Sequence, residues 1–203
     1  CNGKGYILEG AEVNLVNDSS VEANGIVSTI DINIQSIAEK AAEAIDMGAV
    51  VIAEANSGKI RASVSRPDFD ILKVEDYLND TDSTLLNRAI NAYNVGSVFK
   101  PCVAIAGIEN NKGNFIYNCT GSCEIIDRFF KCHDLSGHGT LNLRSAIAHS
   151  CNTFFYNYAF GIGKDEIYKT AASLRFGKSL KICENLYTAN GSLPSNETLD
   201  NIA

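Results

Sequence analysis

The sequence lacks the features that mark several common classes of protein. It has no run of basic residues, and 17 Lys and Arg against 24 Asp and Glu give a formal net charge of −7, the wrong sign for a protein that attracts nucleic-acid phosphates. Its apolar run GAVVIA, residues 48–53, is far shorter than the roughly 20 residues that cross a bilayer. We therefore expect no nucleic-acid partner and no membrane span within these residues.

Cysteine is present, but the CxxC pair typical of zinc ribbons and thioredoxins is missing. Cys119, Cys123 and Cys132, with His133 beside them, are crowded enough to suggest a metal site. Their spacing matches no usual zinc-finger pattern, so we expect no metal and no cofactor. In an oxidising compartment, a disulfide between two of these three cysteines is the favoured alternative.

Hydrophobic periodicity predicts an amphipathic helix early in the chain. Residues 28–47 place apolar side chains at i, i+3 and i+4 spacing, with charged residues on the opposite face. Thr29 or Asp31 could accept hydrogen bonds from its first N–H groups, and Gly48 is a plausible end.

A β-hairpin is predicted next, from two apolar, β-branched runs at 49–55 and 59–65. The first run is apolar on both faces, which favours a place inside a covered sheet. Residues 66–84 are polar, rich in Asp and expected to form a surface loop.

The second half of the chain is predicted to be mostly helical. The expected helices are Ser97–Glu109, Leu143–Phe160 and Lys164–Leu174, with a small strand-and-loop insertion at 114–135 and irregular chain at 179–203.

The segment Gly96-Ser97-Val98-Phe99-Lys100-Pro101 carries the first chemical signal. A turn at Gly96 places Ser97 at the start of an apolar helix. Lys100 lies on the same face of that helix as Ser97. Pro101 is tolerated only in the first helical turn, which places Ser97 at the N-terminus. A lysine whose pKa is lowered by burial can take the proton of a serine hydroxyl and make it a nucleophile. The alternative is a purely structural role, in which Ser97 only caps the helix.

A second signal follows 53 residues later, in Ser150-Cys151-Asn152. This SxN triplet lies at a break between two apolar helical stretches. There the hydroxyl could relay a proton and the amide could hold a substrate amide. Alternatively, Ser150 and Asn152 only cap the following helix.

These motifs and their flanking residues resemble the penicillin-binding proteins, which are serine D,D-transpeptidases, within the superfamily that includes serine β-lactamases. The resemblance extends over four segments in the family's order, residues 28–35, 48–70, 87–101 and 137–163.

The resemblance implies a mixed α/β (α+β) fold of the β-lactamase/transpeptidase type, a helical subdomain with part of an antiparallel sheet. It also implies residue roles. Ser97 would be the acylated nucleophile and would supply half of an oxyanion hole through its N–H. Lys100 would be the base, and Ser150 and Asn152 the second-motif pair.

The sequence departs from the family pattern in two places. Val95 stands where a proline commonly precedes the glycine. No KTG-type triplet follows Asn152, and the nearest strings, at 177–179 and 163–165, do not read as a strand. The expectation is therefore that 28–203 is the N-terminal part of a transpeptidase domain without its C-terminal strands, inactive alone, and that 1–27 ends an upstream linker or pedestal.

The function implied by the resemblance is peptidoglycan crosslinking by a class B, monofunctional enzyme that β-lactams would acylate. Implied partners are peptidoglycan stem peptides, β-lactam antibiotics and other cell-wall synthesis proteins. An anchor upstream would hold the site at the extracytoplasmic face of the cell membrane, where a bond between Cys119 and Cys132 becomes plausible. A serine β-lactamase and a non-catalytic β-lactam sensor remain alternatives.

Four further residues receive structural interpretations. Cys102 and Cys151 lie in apolar helical surroundings and are predicted to be small buried hydrophobic residues. His138 has no acidic partner at a triad spacing and is expected to be structural, while His149 is expected to pack or cap.

Overall fold

A computed structural model of the protein describes residues 27–183 and 186–193. These residues fall into two compact units, which divide between Asn91 and Ala92 and are described separately. Within the described ranges, no helix has the length and apolarity that a membrane crossing requires. Most of the expected upstream linker, residues 1–26, lies outside the described part, as does the end of the chain from residue 194.

The first unit begins with helix α1, Ile32–Ala41, which continues as a 3₁₀ turn at Ala42–Ala44. Asp31 is its N-cap, because its carboxylate accepts hydrogen bonds from the N–H groups of Asn33 and Ile34. Thr29 instead donates to the carbonyl of Ile60. The expectation that Gly48 ends the helix is wrong, since that glycine is already the first residue of a strand.

The predicted hairpin is confirmed as β1, Gly48–Ala53, and β2, Ile60–Arg66. The strands are antiparallel, with Val50 opposite Val64, and β2 and α1 share a small core of Ala38, Ala42, Ala62 and Val64. The expectation that β1 is covered on both faces is not met in the described part of the chain. There β1 pairs only with β2, and Val51 remains 48% exposed, since one helix can cover only one face of two strands.

Two 3₁₀ segments, Ile71–Tyr77 and Arg88–Ile90, complete the first unit. The first lies in the region expected to be entirely loop, where Asp70 caps it by accepting from Leu72 N–H. Arg88 is 6% exposed and donates to backbone carbonyls, among them that of Ser83 at 3.1 Å.

The second unit contains four helices and six short strands among its described residues. The helices are α2, Lys100–Glu109; α3, Leu143–Ala148; α4, Asn152–Ile162; and α5, Lys164–Ser173. The strands are β3, Ile116–Cys119; β4, Ser122–Ile125; β5, Arg128–Lys131; β6, Gly139–Asn142; β7, Lys181–Cys183; and β8, Leu186–Tyr187. They pair antiparallel as β3–β6, β4–β5 and β7–β8.

Two expectations about this unit need correction. The stretch Leu143–Phe160 is not one helix, because α3 ends at Ala148 and α4 begins at Asn152. The break lies at the SxN triplet. The tail from residue 179 is not wholly irregular either, since it contains the β7–β8 hairpin.

The core of the second unit forms where α2 packs against α4. Phe154 and Tyr158 on α4 are fully buried, and Tyr158 lies directly against Gly107 of α2. A Cβ at Gly107 would meet the Tyr158 hydroxyl oxygen at 2.0 Å, so only glycine allows this approach. The contact fixes the helix that follows Ser97 against the helix that begins with Asn152.

Candidate active site

Ser97 lies at the entrance to α2, as the sequence predicts. It belongs to a 3₁₀ turn, Gly96–Phe99, that leads directly into the helix. Gly96 has φ of +53°, a conformation that side chains other than glycine rarely adopt. Pro101 occupies the first turn of α2, where its missing N–H leaves no hydrogen bond unmade. The Ser97 side chain is consequently exposed at a helix start.

Ser150 lies in a Schellman motif at the end of α3. The N–H of Cys151 donates to the carbonyl of Ala146, and the N–H of Ser150 donates to that of Ile147, both at 3.0 Å. Ser150 itself has φ of +49° at the position that glycine usually fills. This left-handed conformation costs a serine about 1 kcal/mol, and such strain concentrates at functional sites.

Lys100 brings the two motifs together. Its Nζ lies 3.2 Å from Ser97 Oγ, 2.9 Å from Ser150 Oγ and 2.7 Å from Asn152 Oδ1. It also donates to the Ser150 carbonyl at 2.5 Å. The structure therefore brings the four predicted residues together, with Ser97, Ser150 and Asn152 around the Lys100 amine, although the two motifs are about 50 residues apart in the sequence.

Burial makes the charged form of Lys100 less favourable than it is in water. Burial lowers the pKa of the Lys100 ammonium below its usual value, while the thiols of Cys132 and Cys151 act in the opposite direction. The face of the buried Phe155 ring lies 5.8 Å from Nζ, a contact that the sequence did not predict. A lysine with a lowered pKa is closer to the free amine that can accept a proton.

The geometry suits nucleophilic catalysis without histidine. An unprotonated Lys100 could accept the Ser97 proton across the observed 3.2 Å separation. Ser150 Oγ, on the other side of the same amine, could pass a proton onward to a leaving group.

The two strings nearest to a KTG triplet do not lie on strands. Lys178 and its neighbours 177–179 follow α5 in turn and irregular chain, and Lys164 is the first residue of α5. This agrees with the sequence interpretation, and none of the strands in the described part carries such a triplet.

The expected cysteine cluster has different members from those proposed. The groups whose ligand atoms converge are Cys119, Cys132, His138 and Cys151, whereas Cys123 and His133 are not part of this set. Cys119 and Cys132 are free thiols, so the disulfide expected between them is not formed.

The sequence did not reveal which groups Cys151 and His138 contact, because their partners are distant in the chain. Cys151 is fully buried, as predicted, but it contacts sulfur and hydroxyl groups in addition to hydrocarbon. His138 directly precedes β6, which pairs with β3 so that Gly139 stands opposite Cys119. A correct prediction of the β3–β6 pairing from the sequence would have placed His138 beside Cys119.

The thiols of this cluster differ in acidity. Burial raises the pKa of Cys119, but hydrogen bonds from Thr153, His138 and the backbone outweigh burial and lower the pKa to about 6. Cys132 is also shifted down, because backbone N–H groups outweigh burial, whereas burial raises the pKa of Cys151 to about 11. The hydrogen bond with Cys119 raises the pKa of His138.

Comparison with known proteins decides the family. The sequence matches the family described as the penicillin binding protein transpeptidase domain over residues 48–202, which is most of the chain. The chain belongs to the penicillin-binding protein transpeptidase family. The resemblance inferred from SxxK and SxN is thereby confirmed.

Individual members of the family are moderately similar to this chain. The peptidoglycan D,D-transpeptidase MrdA of Salmonella typhimurium is 29% identical over 201 residues, 92% of this chain and 32% of that protein. The chain therefore spans about a third of that relative's length.

Solved structures of penicillin-binding proteins share the fold. The crystal structure of Pseudomonas aeruginosa PBP2 in complex with WCK 5153 has a TM-score of 0.77 and 28% identity, covering 87% of this chain and 43% of that one. A complex between PBP2 and MreC from Helicobacter pylori has a TM-score of 0.66 and 28% identity, covering 74% of this chain and 30% of that one. The predicted mixed helix and sheet fold of the transpeptidase type is confirmed.

Proposed function

We propose that this chain contributes the nucleophile and the general base to a peptidoglycan D,D-transpeptidase. The observation that carries the proposal is the convergence of Ser97, Ser150 and Asn152 on the Lys100 amine. The resemblance and the transpeptidase name of its relatives suggest the reaction class, and the geometry supports the role proposed for each residue.

In the proposed reaction, neutral Lys100 accepts the hydroxyl proton as Ser97 Oγ attacks the penultimate D-Ala carbonyl of a stem peptide. The C–N bond to the terminal D-Ala then breaks, and its nitrogen takes a proton relayed through Ser150. An ester to Ser97 remains. An amine of a neighbouring strand attacks this ester, forms the crosslinking amide and returns the proton to Ser97. Asn152 orients Lys100 and can bind the amide of the substrate.

A β-lactam would acylate Ser97 in the same way, but the resulting ester would not be transferred onward. We therefore propose β-lactams as ligands together with stem peptides. By analogy with the PBP2–MreC complex from Helicobacter pylori, we include cell-wall synthesis proteins among its partners. We also propose that the site works at the extracytoplasmic face of the cell membrane, where peptidoglycan strands are available.

Release of D-Ala from a synthetic stem pentapeptide ending in D-Ala-D-Ala tests the proposal. The natural full-length protein should release D-Ala, and the Ser97→Ala variant should not. Ser57→Ala is a matched control, since within the described residues that exposed hydroxyl forms hydrogen bonds with turn residues of the hairpin. Equal release by the wild-type and Ser97→Ala proteins would refute the proposal.

The lifetime of a penicillin adduct separates this function from a β-lactamase. After unbound penicillin is removed, a transpeptidase should keep its adduct far longer than one lactamase turnover. Rapid loss of the adduct with continuous penicillin hydrolysis would favour the lactamase. A stable adduct without any D-Ala release would favour the sensor.

A further inference from the structure

A buried aromatic ring lies over the Lys100 amine. The centroid of the Phe155 ring is 5.8 Å from Nζ, within the about 6 Å over which a ring face and an amine interact. Phe155 is 4% exposed and follows Asn152 by three residues in α4, so both side chains lie on the same side of that helix. The amine therefore meets α4 twice, through the Asn152 oxygen and through the ring one turn later.

The ring is held in place by the helix that carries the lysine. Phe155 packs edge to face against Tyr158, with centroids 6.3 Å apart, and Tyr158 lies directly against Gly107 of α2. Phe154 packs against the same ring, with centroids 5.4 Å apart. All three aromatic side chains are at most 4% exposed. Because such a core is close-packed, the ring cannot turn away from Lys100 without disturbing the α2–α4 contact.

The polar partners of Lys100 leave one direction free for proton transfer. The Ser150 carbonyl and Asn152 Oδ1 can only accept hydrogen bonds, and they lie 2.5 Å and 2.7 Å from Nζ. A neutral amine has two N–H groups, which these two oxygens can accept. The nitrogen lone pair then remains for a hydroxyl, and Ser97 Oγ is 3.2 Å from Nζ. A water molecule bound to the amine would compete for that lone pair.

We propose that Phe155 is a positioning residue for Lys100, because its ring covers the amine and keeps water from competing with Ser97 for the nitrogen lone pair. This role rests on the proposed function, since it takes Lys100 as the general base. Phe155 itself exchanges no proton, so its effect on acylation passes through the lysine.

Two effects of the ring on the pKa of Lys100 oppose each other. The apolar cover removes water and lowers the pKa, whereas the negative face of the ring attracts the ammonium and raises it. Burial is the largest influence on the pKa of this amine, so the cover outweighs the attraction. The titratable groups that act on Lys100 from other segments are the thiols of Cys132 and Cys151, which raise its pKa. Both thiols remain in the variants below.

Truncation of the ring in the natural full-length protein tests the proposal. Phe155→Ala should slow penicillin acylation at neutral pH by at least about tenfold, a smaller loss than the about 10²–10⁴-fold expected when a general base is removed. The pH at which acylation reaches half of its maximum should rise, because water that enters the space stabilises the ammonium. A wild-type rate and pH profile for folded Phe155→Ala would overturn the positioning role.

A conservative variant separates the apolar cover from the ring itself. Phe155→Leu refills most of the space with hydrocarbon, so its acylation rate and pH profile should return toward those of the wild-type protein. A folded Phe155→Leu protein that is as slow as Phe155→Ala would overturn the role assigned to the apolar cover.

Phe154→Ala is the matched control for a general loss of packing. Phe154 is fully buried on the same helix, but its ring packs against Phe115 and Tyr117. Its truncation should destabilise the protein and leave the pH profile unchanged. Circular dichroism shows which variants are folded. If Phe155→Ala is not, Phe155→Val leaves a smaller cavity and should shift the profile in the same direction. An equal shift in Phe154→Ala would overturn the proposal, because packing alone would then explain it.

The protonation of the amine can also be measured without catalysis. In full-length protein with ¹³C at the Cε of lysine, the Lys100 signal is the one lost in Lys100→Arg, and its chemical shift follows the titration of the amine. This signal should titrate at higher pH in Phe155→Ala than in the wild-type protein, and equal midpoints would overturn the proposed cover. If the midpoints differ as expected but Ser97 is never acylated, the proposed function fails while the effect of Phe155 on the amine is retained.

Discussion

Lys100 Nζ lies 2.7 Å from Asn152 Oδ1, although 52 residues separate the two in the sequence. The contact joins the first turn of α2 to the first residue of α4. It therefore depends on how these helices pack and not on either motif alone.

Replacing the Lys100 amine should abolish efficient acylation. Lys100→Arg retains the positive charge, but a guanidinium cannot give up its proton at neutral pH and so cannot act as the base. We expect the second-order rate of penicillin acylation to fall by about 10²–10⁴-fold, the usual contribution of a general base. Lys169→Arg is the control, because Lys169 is 78% exposed and pairs only with Glu166 among the ion pairs described. Acylation by Lys100→Arg at the wild-type rate would exclude the lysine as base.

Acylation should depend on pH through the same amine. Burial holds the pKa of Lys100 below its ordinary value of 10.5, so the reactive free amine accumulates at lower pH than for an exposed lysine. The acylation rate should rise with pH and level off before 10.5. Stopped-flow acylation by a chromogenic cephalosporin measures this profile.

The same shift has a consequence for stability. Because the folded pKa of Lys100 is below the unfolded one, the unfolded chain binds more protons between these two values. The contribution of Lys100 to the free energy of unfolding therefore increases as pH rises through that window. If the acylation rate reaches half of its maximum only at pH 10.5 or above, that result would contradict a lowered pKa for Lys100.

Two substitutions at Ser150 should separate strain from chemistry. Ser150→Ala and Ser150→Gly both remove the hydroxyl that contacts Lys100, and both should slow acylation. They differ in the Cβ at φ of +49°. Ser150→Gly should therefore be more stable than Ser150→Ala by about 1 kcal/mol. Chemical denaturation measures the difference, and equal stabilities would show that the position is not strained.

The packing of α2 against α4 is tested at Gly107. Gly107→Ala would drive a methyl group into the Tyr158 hydroxyl, and we expect a loss of about 1–3 kcal/mol in the free energy of unfolding. Gly161→Ala is the matched control, since a Cβ there meets no atom within 4 Å and should be neutral or stabilising in a helix. Comparable destabilisation by both variants would argue against the close contact.

The local parts of the fold and of the site were predictable from sequence. Asp31 and Pro101 act within one turn of their own helices, and the hairpin follows from two apolar runs around a turn. Gly96 predicts the turn that places Ser97 at the start of α2. In each case, the residues that determine the conformation are neighbours in the chain, so that composition and spacing carry the information.

The cysteine cluster was not predictable in the same way. Its members meet because β3 pairs with β6 and because the turn before α4 lies behind that pair. The side-chain ligand atoms of Cys119, His138 and Cys151 lie within 4.8 Å of one another, although His138 and Cys151 follow Cys119 by 19 and 32 residues. Sequence proximity instead favoured Cys123 and His133, whose ligand atoms lie outside the converging set. Exposure of β1 was also missed, because an apolar pattern does not state which partner covers it.

The most direct test is a mass spectrum of the natural full-length protein after reaction with a fluorescent penicillin. Digestion should yield one labelled peptide, the one that contains Ser97, and fragmentation should place the adduct on its hydroxyl. The label should be absent from Ser97→Ala. An adduct on Ser150 or on any other residue, with Ser97 unmodified, would contradict the assignment of the nucleophile.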